Sequence, residues 1–241
     1  DFDCKIVLRK PRGIEFSNEG KLLVRFAEKT LHALQETREQ IRSIRGSANG
    51  TLRIGCSNLY AKYELPAQLA SFRRQFPAVE IHLKTGFSQE IYQQLLHGSI
   101  HLGIIRGDYN WPGKRQLLEE DSYYVFSASP ISLSGLPSLP RIHYDTDAPL
   151  QLALDNWWFS NYKRPPAAVM EVDNVDTCVQ LVREGLGFAL LSGICARNIP
   201  DLYREKLTYK DGSSLQRRTW LYYDESALQI GTVKAFIDFL T

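Results

Sequence analysis

The chain has 241 residues, 44% hydrophobic and 23% charged, enough for one or two domains with a substantial core. Its 29 Lys and Arg nearly balance 27 Asp and Glu, and the net charge of +2 excludes a module that holds nucleic acid by charge alone. No apolar run approaches the roughly 18 residues of a membrane span, and no signal-peptide segment opens the chain. Membrane and secreted classes are disfavoured, and we expect a cytoplasmic protein.

The cysteines and histidines indicate neither a metal site nor catalysis. Cys4, Cys56, Cys178 and Cys195 form no CxxC pair and no zinc-finger spacing with a histidine. We therefore expect reduced, mostly buried thiols and no cofactor. The five histidines are scattered, and nucleophile-elbow, phosphate-loop and zinc-protease motifs are missing from the sequence. This pattern predicts a protein that is not an enzyme.

The N-terminal segment predicts a β-hairpin. Residues 5–10 and 14–16 have strand character, and the turn signal at 11–13 separates them. A lone two-stranded hairpin is marginal in water. We therefore expect this segment to be the remnant of a larger unit upstream, and the chain to be a fragment.

The longest helical signal covers residues 17–45, with Ser17 as candidate N-cap and Gly46 as the residue after the helix. A helix of this length extends about 43 Å, more than one small domain covers. This favours self-association over a single amphipathic helix packed on its own core. Apolar or small residues recur in steps of four and three, the heptad pattern of a coiled coil: Leu23, Ala27, Thr30, Leu34, Thr37, Ile41 and Ile44.

After a flexible break at 46–50, strands alternate with helices, which is typical of parallel βαβ units in an α/β fold. The first series has strands at 51–56, 79–83 and 100–105 and helices at 63–76 and 89–96. An extended run at 117–128 leads to a second series, with strands near 142, at 168–172 and at 188–191 and helices at 150–162 and 175–184. The chain closes with an extended segment at 218–223 and a helix at 230–240. Two α/β lobes predict a ligand cleft at strand C-termini and helix N-termini.

Polar residues stand where this pattern places the cleft. Ser57 and Asn58 follow the first strand, where free backbone N–H groups attract an anion; a plain helix cap or turn is the alternative. Ser88 repeats the arrangement after the second strand. In the second lobe the turn at 144–147 includes Thr146. Thr177 lies in the segment that opens a helix with Asn174, where ordinary N-capping is the alternative.

Two arginines are the sharper signal. Arg106 ends an apolar strand, and a guanidinium there needs an anionic partner, which is either a structural Asp or Glu or a ligand carboxylate. Arg217 and Arg218 begin the segment that returns between the lobes, so one of them is expected to face the cleft. Two converging arginines would suit a ligand with several carboxylates. This hypothesis requires that neither guanidinium is already tied to its own acidic neighbour.

Four blocks of sequence, in the right order, resemble the LysR-type transcriptional regulators over essentially the whole chain: residues 7–20, 50–57, 75–81 and 184–191. The resemblance implies a two-lobe effector domain like the periplasmic binding proteins of type 2, preceded by a dimerising linker helix and a remnant wing hairpin. Its bounds would be 1–16 for the wing, 17–46 for the linker helix, 51–121 with 222–241 for lobe I, and 122–221 for lobe II.

The same resemblance implies partners. DNA would be bound through a winged-helix domain missing from this chain, with phosphate contacts from Arg9, Lys10 and Arg12 in the intact protein. A homodimer or homotetramer would form, with dimer contacts at Leu23, Ala27, Leu34, Ile41 and Ile44.

A narrower likeness is to the citrate-responsive catabolite-control regulators of low-GC Gram-positive bacteria, carried by residues 85–88, 103–107, 172–173, 176–178 and 217–220. It implies allosteric control of central-metabolism genes by citrate in the cleft. The expected ligand contacts are Ser57, Asn58, Ser88, Arg106, Thr146, Thr177 and Arg217. The alternatives are the solute-binding protein of a transporter, an α/β enzyme, or a regulator with another small-anion, sulfur-derived or amino-acid-derived effector.

Overall fold

The computed structural model describes residues 2–11, 13–43 and 50–240. Two of the residues predicted to have a function, Arg12 and Ile44, lie outside these described residues, as do Gly46 and most of the predicted break.

The N-terminal hairpin consists of β1 (Val7–Lys10) and β2 (Gly13–Phe16), which pair antiparallel. Gly13 has a φ of +134°, a conformation that glycine adopts readily, and it opens the returning strand. The long helix α1 (Asn18–Ser43) follows directly. The Ser17 hydroxyl accepts a hydrogen bond from the Gly20 N–H at 2.9 Å, as expected of a helix cap.

Lobe I is built on the parallel strands β3 (Gly50–Ser57), β4 (Val79–Gly86) and β5 (Leu102–Arg106), with β3 in the middle. Its first helices are α2 (Asn58–Tyr63), α3 (Leu65–Gln75) and α4 (Ser88–Leu96). The single helix predicted at 63–76 is therefore wrong at its start. The chain becomes helical directly after β3 and is interrupted at Glu64, before Pro66 in the first turn of α3. Proline supplies no N–H for a continuous helix.

Lobe II contains the parallel strands β7 (Pro140–Tyr144) and β8 (Ala167–Val172). It continues with α5 (Ala148–Asn161), α6 (Val175–Arg183), β9 (Ala189–Ser192), α7 (Gly193–Ala196) and β10 (Tyr203–Lys206). The chain ends with β11 (Gln216–Tyr223) and α8 (Gly231–Leu240). Strand β10 was not predicted; its alternately exposed residues form a short edge strand against the neighbouring long strand.

Two strands pass between the lobes. The long strand β6 (Lys114–Ser127) pairs with β11 over its first part and with β9 and β10 from Tyr123 onward. β11 returns to lobe I and pairs with β5 from Thr219, so the second crossover lies earlier than the expected boundary at 222. The boundary differs from the expected one because β11 joins the sheet of lobe I through its hydrogen bonds to β5, and its own sequence does not show where these begin.

Each lobe has its own aromatic-rich core. In lobe I, Phe72 of α3 meets Phe236 of α8 edge-to-face with ring centroids 4.9 Å apart, and both side chains are fully buried. In lobe II, Trp158 of α5 stacks on Phe188 at 6.2 Å. Burial of each large apolar side chain contributes about 1.5–3 kcal/mol. None of the described helices combines the length and the apolar character needed to cross a bilayer.

Three of the four cysteines belong to these cores. Cys56 is buried in lobe I, Cys178 and Cys195 share one apolar cluster in lobe II, and Cys4 is exposed. Burial raises the pKa of Cys178 and of Cys195 to about 12, and it also raises the pKa of Cys56. Since the thiolate is the reactive form, these thiols are inert at neutral pH.

Thiol labelling checks this assignment. In the native protein at pH 8, Ellman's reagent is expected to react quickly with Cys4 alone, because the raised pKa values keep the buried thiols protonated. Denaturant should release all four thiols, and Cys4→Ser should remove the fast phase. Rapid native reaction of two or more thiols in the Cys4→Ser variant would contradict the burial described here.

Candidate functional site

A cavity of about 290 Å³ lies between the lobes. It opens at the carboxyl ends of the parallel strands of both sheets, as the alternating pattern predicts. Six of the seven predicted ligand residues line it: Ser57, Asn58, Ser88, Arg106, Thr146 and Arg217. Thr177 is outside the lining and exposed. Its backbone N–H donates to the Asn174 side chain at 2.8 Å, so N-capping, the alternative interpretation of this segment, is what the structure contains.

Ser57 is a buried polar group without a partner. The residue is 4% exposed, and its hydroxyl makes no hydrogen bond with any described residue. Helix α2 begins at the next residue, but the Ser57 side chain does not cap it, so the plain-cap alternative is wrong. An unsatisfied buried hydroxyl costs about 1–3 kcal/mol. A ligand that accepts or donates one hydrogen bond here would remove that cost.

Arg106 has a structural acidic partner. Its Nη2 donates to Asp121 Oδ2 at 3.0 Å and to Ser192 Oγ at 2.7 Å, and the side chains of Arg106 and Asp121 are 4% and 6% exposed. Asp121 also accepts the Ser192 hydroxyl and the Ile194 N–H. A Cβ on Gly193 would lie 2.6 Å from the Asp121 carboxylate, which explains the glycine at this close approach.

Arg217 also has a carboxylate of its own. Its Nη2 donates to Asp147 Oδ2 at 2.5 Å and to the Arg106 carbonyl oxygen at 2.7 Å. The other oxygen of Asp147 accepts the Leu150 N–H at 3.0 Å and caps α5. Arg218, one residue on, points to the opposite face of the strand, where it pairs with exposed Asp108.

Both arginines reach one cavity, as expected. The hypothesis also required that neither arginine be paired with an acidic neighbour, and this condition is not met. The carboxylates come from a crossover strand and a helix cap, positions that only the folded chain brings to the arginines. The argument from free arginines to a polyanionic ligand fails with this finding.

The lining also contains residues that the sequence analysis missed. Tyr123 is 1% exposed, and its side chain interacts with the guanidinium of Arg217. Lys62 of α2 forms an ion pair with Asp176 of α6, joining the two lobes across the cavity mouth. Asp173 directly follows β8, just as Asp145 follows β7. The rule that ligands lie after parallel strands would have identified Asp173; nothing in the sequence pairs Lys62 with Asp176.

The described lining is suited to binding. It offers hydroxyl, amide, guanidinium and carboxylate groups, and it includes neither histidine nor cysteine. A cluster of side chains able to hold a metal ion is likewise not found within residues 2–11, 13–43 and 50–240.

Comparison with known proteins identifies the family. The model for the LysR substrate binding domain matches residues 45–241. The chain belongs to the LysR-type transcriptional regulators. The uncharacterized HTH-type transcriptional regulator YraN of Bacillus subtilis is 37% identical over 239 residues, covering 99% of this chain and 83% of YraN. YkuM, from the same organism and also uncharacterized, is 28% identical over 235 residues, covering 97% of this chain and 80% of YkuM.

Solved structures of LysR regulators share the fold. Full-length CbnR in complex with its target DNA superimposes with a TM-score of 0.67 at 17% identity, over 98% of this chain and 83% of CbnR. The C-terminal domain of a probable LysR family regulator from Rhodococcus gives 0.65 at 18% identity, over 80% of this chain and 98% of that domain. The expected two-lobe α/β effector fold is confirmed. These similar proteins are transcriptional regulators, and the family is that of the regulator interpretation.

The buried Arg106–Asp121 pair can be tested by substitution. Asp121→Ala is expected to lower the free energy of unfolding by about 3–5 kcal/mol, because it leaves a buried guanidinium without its charge partner. Urea denaturation followed by circular dichroism measures the loss. The matched control is Asp201→Ala, which removes the exposed partner of Arg183 and should leave stability nearly unchanged. Equal stability of both variants would refute the structural role of the pair.

Proposed function

We propose that this LysR-type regulator senses a small carboxylate effector in the cavity between its lobes and associates through α1. The observation that carries the proposal is a pair of buried polar atoms on residues of the cavity lining, Ser57 Oγ and Arg106 Nε, which have no hydrogen-bond partner among the described residues. Burial of such groups is unfavourable unless a ligand or water pairs with them. Both can donate a hydrogen bond, so an anionic acceptor fits them.

An effector with one carboxylate fits the ion pairs without rearrangement. Citrate, which the narrower likeness favours, is the second candidate. Its three carboxylates would have to compete with Asp121 and Asp147 for the arginines, because Arg106 and Arg217 are already paired. The geometry therefore supports an effector with one carboxylate better than citrate.

Regulation would follow from a shift between open and closed clefts. The Lys62–Asp176 ion pair joins the two lobes, and the Tyr63 hydroxyl reaches the same carboxylate at 3.5 Å. An effector that touches both lobes binds the closed state better, and only that difference shifts the population. A coupling of about 1–3 kcal/mol, typical of allostery, would change operator affinity appreciably.

The N-terminal segments would transmit this change to DNA in the cytoplasm. Arg9 and Lys10 lie on the exposed hairpin, where we propose phosphate contacts in the intact protein. Lys10 meanwhile pairs with Glu15 of the neighbouring strand. Target genes in central metabolism are proposed from the same narrower likeness as citrate.

Helix α1 is proposed as the dimer contact, with a homotetramer as the further assembly. Of the predicted contact residues, Leu34 and Ile41 are 49% and 54% exposed, Ala27 is exposed and Leu23 is half-buried. Leu22, Phe26 and Leu31 on the same helix are also exposed. An apolar helix face of this kind is covered in a coiled coil.

Ligand binding is tested by a thermal-shift screen of small carboxylates, citrate included, followed by calorimetry. A true effector raises the melting temperature of the wild type, because it binds only the folded state. Ser57→Ala should weaken its binding by about tenfold to 150-fold, the value of one lost hydrogen bond to a charged group. Ser226→Ala, at an exposed serine outside the cavity, is the control. Unchanged affinity in Ser57→Ala would place the ligand elsewhere.

Association through α1 is tested by light scattering. The double variant Leu34→Asp/Ile41→Asp should be monomeric at concentrations at which the wild type is dimeric or larger, since charges at a coiled-coil contact must be desolvated. Leu186→Asp, at a comparably exposed apolar residue of lobe II, serves as control. An unchanged mass in the double variant would rule out α1 as the contact.

A further inference from the structure

We infer that the effector of the cleft is a zwitterion of about amino-acid size, with one anionic group and one ammonium group. This assignment rests on the proposed function in taking the interlobe cavity as the effector site. It adds a second charge to the effector and assigns each charge to one wall of the cavity.

The cavity has no spare cation for a polyanion. Among the described lining residues, each of the three side chains with a full positive charge already forms an ion pair: Lys62 with Asp176, Arg106 with Asp121, and Arg217 with Asp147. The second and third of these pairs are almost completely buried. An incoming polycarboxylate would gain little net attraction, because each cation is already neutralised.

Two carboxylates of the lining have no cationic partner among the described residues, Asp145 and Asp173. They follow directly after the neighbouring parallel strands β7 and β8, whose register pairs Tyr144 with Val172. The Asp145 N–H donates to the Val172 carbonyl at 2.9 Å, which holds the two strand ends together. The neutral amide of Asn174 donates to Asp173 at 2.6 Å. Lobe II therefore presents two adjacent negative charges to the cavity.

The wall formed by lobe I has the opposite character. Ser57 ends β3 and pairs in register with Gly86 at the end of β4, and Ser88 begins the nine-residue helix α4. The Ser57 hydroxyl is the unpartnered group at this wall, 4% exposed and lining the cavity. Arg106, which ends β5, also belongs to the lining, and its Nε has no hydrogen-bond partner among the described residues. Hydroxyl and guanidinium donors bind an anionic oxygen.

A zwitterion can form favourable contacts with both walls of the cavity, whereas a molecule with charges of one sign can do so with only one wall. A polycarboxylate sets its extra negative charge beside Asp145 and Asp173, where like charges repel. A plain amine that pairs with Asp145 and Asp173 brings no anionic oxygen to the donors of lobe I. A molecule with a carboxylate toward lobe I and an ammonium toward lobe II pairs with both lobes at once, and so also favours the closed cleft.

The first test is a thermal-shift screen of the full chain against the twenty proteinogenic L-amino acids, citrate and succinate. For the tightest amino acid, calorimetry then compares its des-amino acid, which lacks the ammonium group, and its methyl ester, which lacks the carboxylate. Each analogue is expected to bind about tenfold more weakly or worse than the parent, the loss of one charge-assisted contact.

Charge variants assign the ammonium to its wall. Asp145→Asn and Asp173→Asn should each weaken the amino acid by about threefold to tenfold, because these carboxylates are exposed and partly screened. The des-amino acid should bind these variants as tightly as the wild type, or more tightly. Glu171→Gln removes an exposed carboxylate of β8 outside the cavity and should change neither affinity.

The outcomes separate this assignment from the proposed function. Citrate, succinate or the des-amino acid binding as tightly as the best amino acid would overturn the zwitterion, as would an amino acid that Asp145→Asn and Asp173→Asn leave unaffected. In either case weakening by Ser57→Ala would keep the cleft as the effector site. The zwitterion is also overturned if no amino acid raises the melting temperature. If citrate or succinate raises it instead, the proposed function stands.

Discussion

A buried guanidinium at the crossover between the lobes depends on a single carboxylate. Arg106 ends β5, Asp121 lies in β6 where that strand leaves lobe I, and Ser192 ends β9 in lobe II. A charge so deeply buried is tolerated only with a partner and further hydrogen bonds. The three segments therefore have to meet in one arrangement, and that arrangement places the cavity between the strand ends of both sheets.

Asp147 extends the same network to the second lobe. One carboxylate caps α5 and pairs with Arg217, whose guanidinium in turn reaches the backbone oxygen of Arg106. The two arginines are therefore part of the scaffold that shapes the cleft. The groups left for an effector are the Ser57 hydroxyl and the Arg106 Nε on one side and the carboxylates after β7 and β8 on the other. This division of roles changes the chemistry expected of the ligand.

Most of the elements follow from local patterns. Alternating strands and helices, the cap at Ser17, and the position of Ser57 after a buried strand are all recognisable because burial and capping act over a few residues. The errors fall where neighbouring elements decide the outcome. The helix expected at 63–76 begins at Leu65, after the separate helix α2. The edge strand β10 carries too few buried residues to be recognised, and β11 joins lobe I earlier than its sequence indicates.

The sequence by itself determined the class of fold, the family to which the chain belongs, and six residues that line the cleft. It did so because periodic burial and residues at strand ends leave a local signature. Only the tertiary structure decided which charges in that cleft remain available. Arg106 is fifteen residues from Asp121 and Arg217 is seventy from Asp147, so each ion pair exists only after distant segments have packed together.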